Sequence, residues 1–354
     1  MSAETSRWLN TMTLIGNTEK RGNAWHYRES EQGVEPNHYP QAIPVPDVHR
    51  RLFHWEPVEA KISTTVYSAP GAPVRVYIAD DRKAIIRPAG TFGADDRGQI
   101  LGVFKDGYRV HGYGQWLVKN VEAILDDGLA VTSAGLLKGG ALAWVQVDMP
   151  ETLETAGFTY RPFLTAATSL DGSLSSTYLT GVQAVVCDNT LSAALGSASA
   201  PVKIKHSAQS LGRIGEVRDA LGIVHRVAED FEAQVKALTS REVTDRQWAR
   251  FLDQDEVAPL TDAKGQPLSP RAVTLMEKKR AQLQTLWLHD ARVSPWKGTA
   301  FGVMQAVNTW EHHLKGTRGA AGAAERNMLR AVTGGVDKMD RGTLAVLDRV
   351  LTAR

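Results

Sequence analysis

Between Ile214 and Leu238, apolar residues recur at intervals of three and four: Ile214, Val217, Leu221, Val224, Ala228, Phe231, Val235 and Leu238. That period places them on one side of an α-helix, and so continuous a stripe has to be covered by another element. A segment around Val273, Met276, Leu283 and Trp287 is the expected partner, giving an intramolecular helical pair. An intermolecular coiled coil is the alternative, weakened by Gly222 and Ala228.

Upstream the pattern is different. Short β-branched runs cover Val58 to Tyr67, Val74 to Ile78, Ala84 to Arg87 and Ile100 to Phe104, with Gly, Pro and Asp clusters between them. Trp116, Leu117, Val121 and Ile124 predict a helix over Tyr113 to Leu125. Two hairpins follow, one turning at Lys138-Gly139-Gly140 and one at Asp171-Gly172, the latter with strands Phe163 to Leu170 and Ser173 to Thr180. Val182, Val185, Val186, Asn189 and Ala193 then fall at helical spacing, which predicts a helix to about Leu195. Beyond the stripe, the Pro-, Asp- and Gly-rich stretch Gln254 to Pro270 reads as a linker. From there the chain reads helical to its end, with breaks at Gly316 to Gly322 and Gly334-Gly335.

The expected class is therefore α+β: an antiparallel-rich sheet with hairpins packed on helices, then a helical carboxyl-terminal region. The expected parts are an irregular amino-terminal segment (1–57) packed on the core, an α+β core (58–253) ending in the striped helix, and a helical region (271–354). A hydrophobic content of 43% supplies a core without cross-links. The lone Cys187 rules out an intrachain disulfide and a multi-cysteine zinc site, and suits a reducing compartment. With no apolar run long enough for a membrane span and no leader-like start, a cytoplasmic protein is expected. The net charge of +2 permits a polyanionic partner without demanding one.

Few chemical motifs stand out. Pro46-Asp47 followed by Glu59-Ala60-Lys61 has the layout of a metal-dependent nuclease: two carboxylates hold Mg²⁺ and the lysine assists the attacking water. Asp47 also suits the cap of a short helix running to Trp55. Glu311, His312 and His313 do not have zinc-helix spacing, because adjacent helical residues point about 100° apart; they read as a solvated or partly buried helix end. The sequence has no phosphate-binding glycine loop, so no cofactor is expected and an enzyme is disfavoured. Asn189 reads either as a buried amide that fixes helix register or as a ligand contact.

A basic stretch is more suggestive. Lys203, Lys205, His206, Arg213 and Arg218 follow the hydroxyl-rich hairpin of Ser169, Ser173, Ser175, Ser176, Thr177 and Tyr178. Cations and hydroxyls suit phosphates, and an exposed tyrosine would stack a base.

Three segments carry a likeness: Val185-Val186-Cys187-Asp188-Asn189-Thr190-Leu191; Gly298-Thr299-Ala300-Phe301-Gly302 through Asn308-Thr309-Trp310-Glu311-His312-His313; and Gly102-Val103-Phe104 with Tyr108 and Tyr113-Gly114. Together they resemble the family known as domain of unknown function 932. The resemblance supplies no reaction and no catalytic residues. It implies phage, prophage and plasmid proteins, and thus a role in mobile-element biology such as DNA metabolism. The expected function is binding, and annealing, of single-stranded DNA by an oligomeric protein through Lys203, Lys205, His206, Arg213, Arg218, Ser175 and Tyr178, with the motif Cys187, Asp188, Asn189 and Thr190 structural. The rivals are a nuclease using Asp47, Glu59 and Lys61, and a host-interaction protein without a nucleic-acid role.

Overall fold

The computed structural model describes all of the chain except residues 1–8, 25–26, 68–72, 123–124, 126–128, 150–151, 185–189, 193–201, 205–215, 263, 317–322 and 354. The strands of its two sheets pair antiparallel throughout, as the hairpin signals predict.

The amino-terminal segment is less irregular than its composition suggests. It contributes an edge strand, β1 (Thr13–Ile15), and two short helices, α1 (Thr18–Arg21) and α2 (Val45–Leu52). Asp47 does not cap α2. Pro44 holds the cap position and Asp47 sits in the first turn, accepting from Tyr39 Oη at 3.0 Å and Arg50 at 3.1 Å.

A separate three-stranded sheet follows, in the order β2 (Val58–Tyr67), β3 (Pro73–Arg87), β4 (Gln99–Lys105). β3 is one long strand where the sequence suggests two. Asp80-Asp81-Arg82 does not end it; a register shift at Lys61/Ile62 of β2 absorbs the extra residues as a bulge. Because β4 pairs only with Arg82–Arg87, the outer half of the β2–β3 hairpin stands as a two-stranded ribbon.

The chain then makes a π-helical segment, Tyr113–Val118, which runs into α3 (Lys119–Glu122). The main sheet comes next: β5 (Ala130–Leu137), β6 (Leu142–Asp148), β7 (Leu153–Thr155), β8 (Phe158–Ser169), β9 (Ser176–Ala184), β10 (Thr190–Ser192) and β11 (Val202–Ile204). Its order is β1-β5-β6-β8-β9-β10, with β7 also on β8 and β11 also on β9. The β5–β6 turn needs its glycines. Gly139 and Gly140 sit at φ 67° and 92°, and a side chain on Gly139 would meet Gln99 Oε1.

Two expectations fail here. The β8–β9 connection is no two-residue turn: it runs from Leu170 to Ser175, and Asp171 accepts from the Ser173 amide at 2.8 Å and Lys138 Nζ at 3.1 Å. The helix expected from Val182 to about Leu195 is instead strand at 182–184 and 190–192, its other residues lying outside the described ones. β9 continues to Ala184, and β10 folds back on it with Thr190 opposite Gln183. Short apolar runs fit either period, and here the β-branched content decided.

The central strands are covered on both faces. Ala143, Val145 and Val147 face one core with Tyr113, Trp116 and Leu117, while Leu142 and Trp144 face another with Leu9 and Val332. The striped helix is α4 (Glu216–Ser240). Phe231, Val235 and Leu238 are buried as expected, Ala228 is half-buried and its neighbour Val227 is buried in its place; Ile214 and the side chains of Val217, Leu221 and Val224 lie outside what is described.

Four further helices follow: α5 (Asp245–Leu252), α6 (Pro270–His289), α7 (Ala300–Thr309) and α8 (Ala323–Thr333). The last, α9 (Gly335–Thr352), begins after Gly334 at φ 77°. α4 packs mainly on α7, β8 and β9, and α7 separates it from α6. The expected partners Leu283 and Trp287 belong to the same core but are met through α7. The linker contains no helix, as its composition requires. Among the described residues no helix is long and apolar enough to cross a membrane.

Candidate functional site

Most hydroxyls of the hairpin turn inward, with Ser173 exposed and Ser175 half-buried. Ser169 is fully buried and bonds both ways with Leu174, at 3.0 Å each. Ser176 Oγ lies 2.6 Å from His111 Nδ1 and 2.8 Å from Thr168 Oγ1, all three inside the protein. Thr177 donates to the Ser175 carbonyl at 2.6 Å, and Ser175 is half-buried. The Tyr178 ring is 3% exposed and packs beside Trp116, with burial raising its phenol pKa. An expected base-stacking residue is thus a core residue. The physical reason is position: β9 is an interior strand, flanked by β8 on one side and by β10 and β11 on the other.

Of the basic stretch, Lys203 lies on β11 in register with Thr177, and Arg218 lies on α4. Lys205, His206 and Arg213 are outside the described residues, as are Cys187, Asp188 and Asn189; Thr190 opens β10. The nuclease set is not drawn together by its bonds. Asp47 is held by Tyr39 and Arg50, and Glu59 by Lys83 across the sheet at 2.8 Å. Lys61 is exposed two residues along the same strand. Among the described residues no three His, Cys, Asp or Glu side chains gather as metal ligands.

Two of the three family-like segments lie within the described residues. Phe104 stacks on Tyr108 at 3.9 Å, and Tyr113, fully buried, donates to the Gly140 carbonyl at 2.8 Å. That bond ties the first π-helical segment to the β5–β6 turn. Thr299 caps α7 by accepting from the Gly302 amide at 3.1 Å, and a side chain on Gly302 would run into the Trp296 carbonyl. These are packing devices.

The end of α7 differs. It passes into a second π-helical segment, Trp310–Leu314, a geometry often found at functional positions. Glu311 is buried there. Burial pushes its carboxyl up, but bonds from Lys315 at 2.7 Å and Arg330 at 2.5 Å outweigh that and hold it below the ordinary value. Arg326 donates to the carbonyls of Glu311, Lys315 and Gly316, closing the segment's exposed end. Lys279 sits 4.4 Å and Lys315 5.6 Å from the Trp310 ring centre. His312 Nδ1 lies 2.9 Å from the Asn308 carbonyl, and burial lowers its pKa to about 4. The helix end expected to be solvated or partly buried is partly buried, a charge cluster around one buried carboxylate.

Sequence reasoning missed this cluster because its members come from α6, the π-helical segment and α8. The one legible signal is Glu311 with Lys315 at i and i+4. Comparison with curated proteins and with solved structures finds no match. The family model described as "Domain of unknown function (DUF932)" matches residues 100–333, from within β4 to the end of α8 and across all three family-like segments, and the chain therefore belongs to that family.

Proposed function

We propose that the protein binds single-stranded nucleic acid as a homo-oligomer, and that the cation-rich face around Glu311 contacts the phosphates. The charge imbalance carries this reading. Lys279, Lys315, Arg326 and Arg330 gather about Trp310 and Glu311, and among the described residues their one ion-pairing carboxylate is Glu311, which pairs with Lys315 and Arg330. The surplus positive charge suits a polyanionic backbone. Exposed His313 beside it gives a ring for base contact. α8, which carries Arg326 and Arg330, lies against β8, and β11 with Lys203 pairs with the next strand, β9. Lys203 therefore extends the same reading.

The test is a titration of labelled single- and double-stranded oligonucleotides at several salt concentrations. The expected result is tighter binding of the single strand. The salt slope should be about 0.7 log units per tenfold salt for each phosphate neutralised. Removing only Lys315 and Arg330 would orphan a buried carboxylate, so the informative variant is Glu311→Gln/Lys315→Gln/Arg330→Gln, which keeps hydrogen-bonding groups in place. It should stay folded, bind more weakly and show a shallower slope. No binding of a long oligonucleotide even at low salt sinks the reading, and an unchanged slope in the variant moves the contact elsewhere.

A further inference from the structure

The β2–β3 ribbon leaves the body of the protein with apolar side chains in water. Val66, Tyr67, Val74, Val76, Tyr77 and Ile78 are 47% to 64% exposed. Between Ile62 and Ala79 the only charged residue is Arg75. An isolated two-stranded hairpin is marginal in water, and a third strand or a covering layer is the usual remedy. Proteins also blunt free strand edges with charges, whereas the β3 edge from Val74 to Ala79 has the single Arg75. This edge is open because β4 pairs with β3 only from Arg82 onward.

We infer that this edge of β3 is a self-association surface, on which a second copy of the same strand pairs antiparallel about a two-fold axis near Ile78. The inference rests on the homo-oligomeric part of the reading above and gives it a place. Three observations select a second copy as the occupant. The first is charge. An antiparallel pairing about Ile78 brings Arg75 of each ribbon opposite Asp81 of the other, with Asp80 next along the strand, so the ribbon's one cation meets an acidic segment at both ends of the pairing. Within one chain those residues are separated along the same strand and do not meet.

The second is area. Val74, Val76, Tyr77 and Ile78 lie on the pairing strand itself, so a partner strand covers their facing sides together with the open edge, while Val66 and Tyr67 on β2 lie one strand further out. The third is geometry. Pairing turns two two-stranded ribbons into one four-stranded sheet, with the partner's strand continuing the lane that β4 vacates. A nucleic acid is the poorer occupant, since one cation neutralises little of a phosphate backbone. β2 and β3 also lie outside the family match, so the ribbon is argued from this chain alone.

The experiment is light-scattering mass over a range of concentrations for the full chain and three variants. Val76→Lys/Ile78→Lys puts like charges on the paired edge and should weaken association by about tenfold or more. Arg75→Asp should weaken it as well, and Arg75→Asp/Asp80→Arg/Asp81→Arg should restore it, because the reversed charges again meet across the two-fold. All these positions are exposed, so circular dichroism should show the fold kept. An oligomer unmoved by every ribbon variant overturns the surface and leaves the oligomer standing. A monomer at all concentrations overturns both. Weakening by Arg75→Asp without rescue by the triple reversal overturns the two-fold pairing. Vesicle or oligonucleotide binding lost with the lysine pair, in a chain that stays monomeric, assigns the ribbon to another occupant.

Discussion

Tyr178 and His312 show how far a residue's type underdetermines its role. A tyrosine beside serines and lysines looks like a stacking platform, yet Tyr178 lies under Trp116 in the core of the sheet. His312 looks like a solvated neighbour of His313, yet its ring is turned in toward the Asn308 carbonyl. Burial, opposed by that bond and by Glu311, and helped by His313 and Arg330, lowers its pKa from 6.5 to about 4. The sign of the pH effect follows. Below pH 6.5 the unfolded chain takes up a proton on this histidine that the folded chain refuses. The stability tied to the neutral ring is thus complete above that pH and is lost as the pH falls toward 4. Discounted for the ring's partial exposure, the loss is about 1–2 kcal/mol. Chemical denaturation at pH 7 and at pH 4.5 should show it, and His312→Gln should remove most of the difference that this residue makes. Equal pH dependence in the variant and the parent would take the histidine out of the account. Glu311 adds a separate loss at lower pH, since its depressed carboxyl stabilises the fold only while ionised.

At the scale of elements, the sequence is most informative where one period runs long. α4 is legible because its spacing never breaks, and of the four stripe residues whose side chains are described Phe231, Val235 and Leu238 are buried and Ala228 is half-buried. Phe231, fully buried between Phe158 and Tyr160, should cost about 3–5 kcal/mol on truncation to alanine. The exposed Glu229→Ala on the same helix should change stability by less than about 0.5 kcal/mol. Urea midpoints for the two variants check this, and equal midpoints would mean the stripe is not the packed face. The hairpin at Lys138-Gly139-Gly140 is legible for a different reason: the turn demands positive φ, and glycine supplies it. The misread elements are short. Apolar residues after Val182 also fit a helical period, but where this stretch is described Val182 to Ala184 pair with β8 and Thr190 to Ser192 pair with β9. β1 was hidden because three residues carry no period at all. The cluster at Glu311 was hidden because it exists only once α6, α7 and α8 have packed.

For the whole molecule, the striking boundary in the sequence is the linker after α5, yet the core crosses it. Leu283 and Trp287 of α6, Phe301 of α7 and Leu347 of α9 share one cluster with Phe158 and Tyr160 of β8, Phe231 of α4 and Phe251 of α5. Trp287 stacks on Trp248 at 4.6 Å, and Trp248 Nε1 donates to Gln284 at 2.7 Å, both contacts spanning the linker. An ion pair crosses it too, Arg280 with Asp253 at 2.7 Å, and Arg349 reaches Glu256 inside it at 2.6 Å, although exposed pairs of this kind contribute little. Residues 271–354 on their own would leave Trp287, Leu283 and Phe301 facing water, each losing roughly 1.5–3 kcal/mol of burial. With a domain's whole margin on the order of 5–15 kcal/mol, helices deprived of that cover should not hold together. The fragment 271–354 made alone should therefore give a non-cooperative thermal melt, while the same fragment co-expressed with residues 1–262 should co-purify and melt cooperatively. Backbone continuity through residues 263–270 is then dispensable and the shared core is not. A cooperative melt of the isolated fragment would mean that α6 to α9 form a core of their own, and that the aromatic contacts across the linker join two independent units.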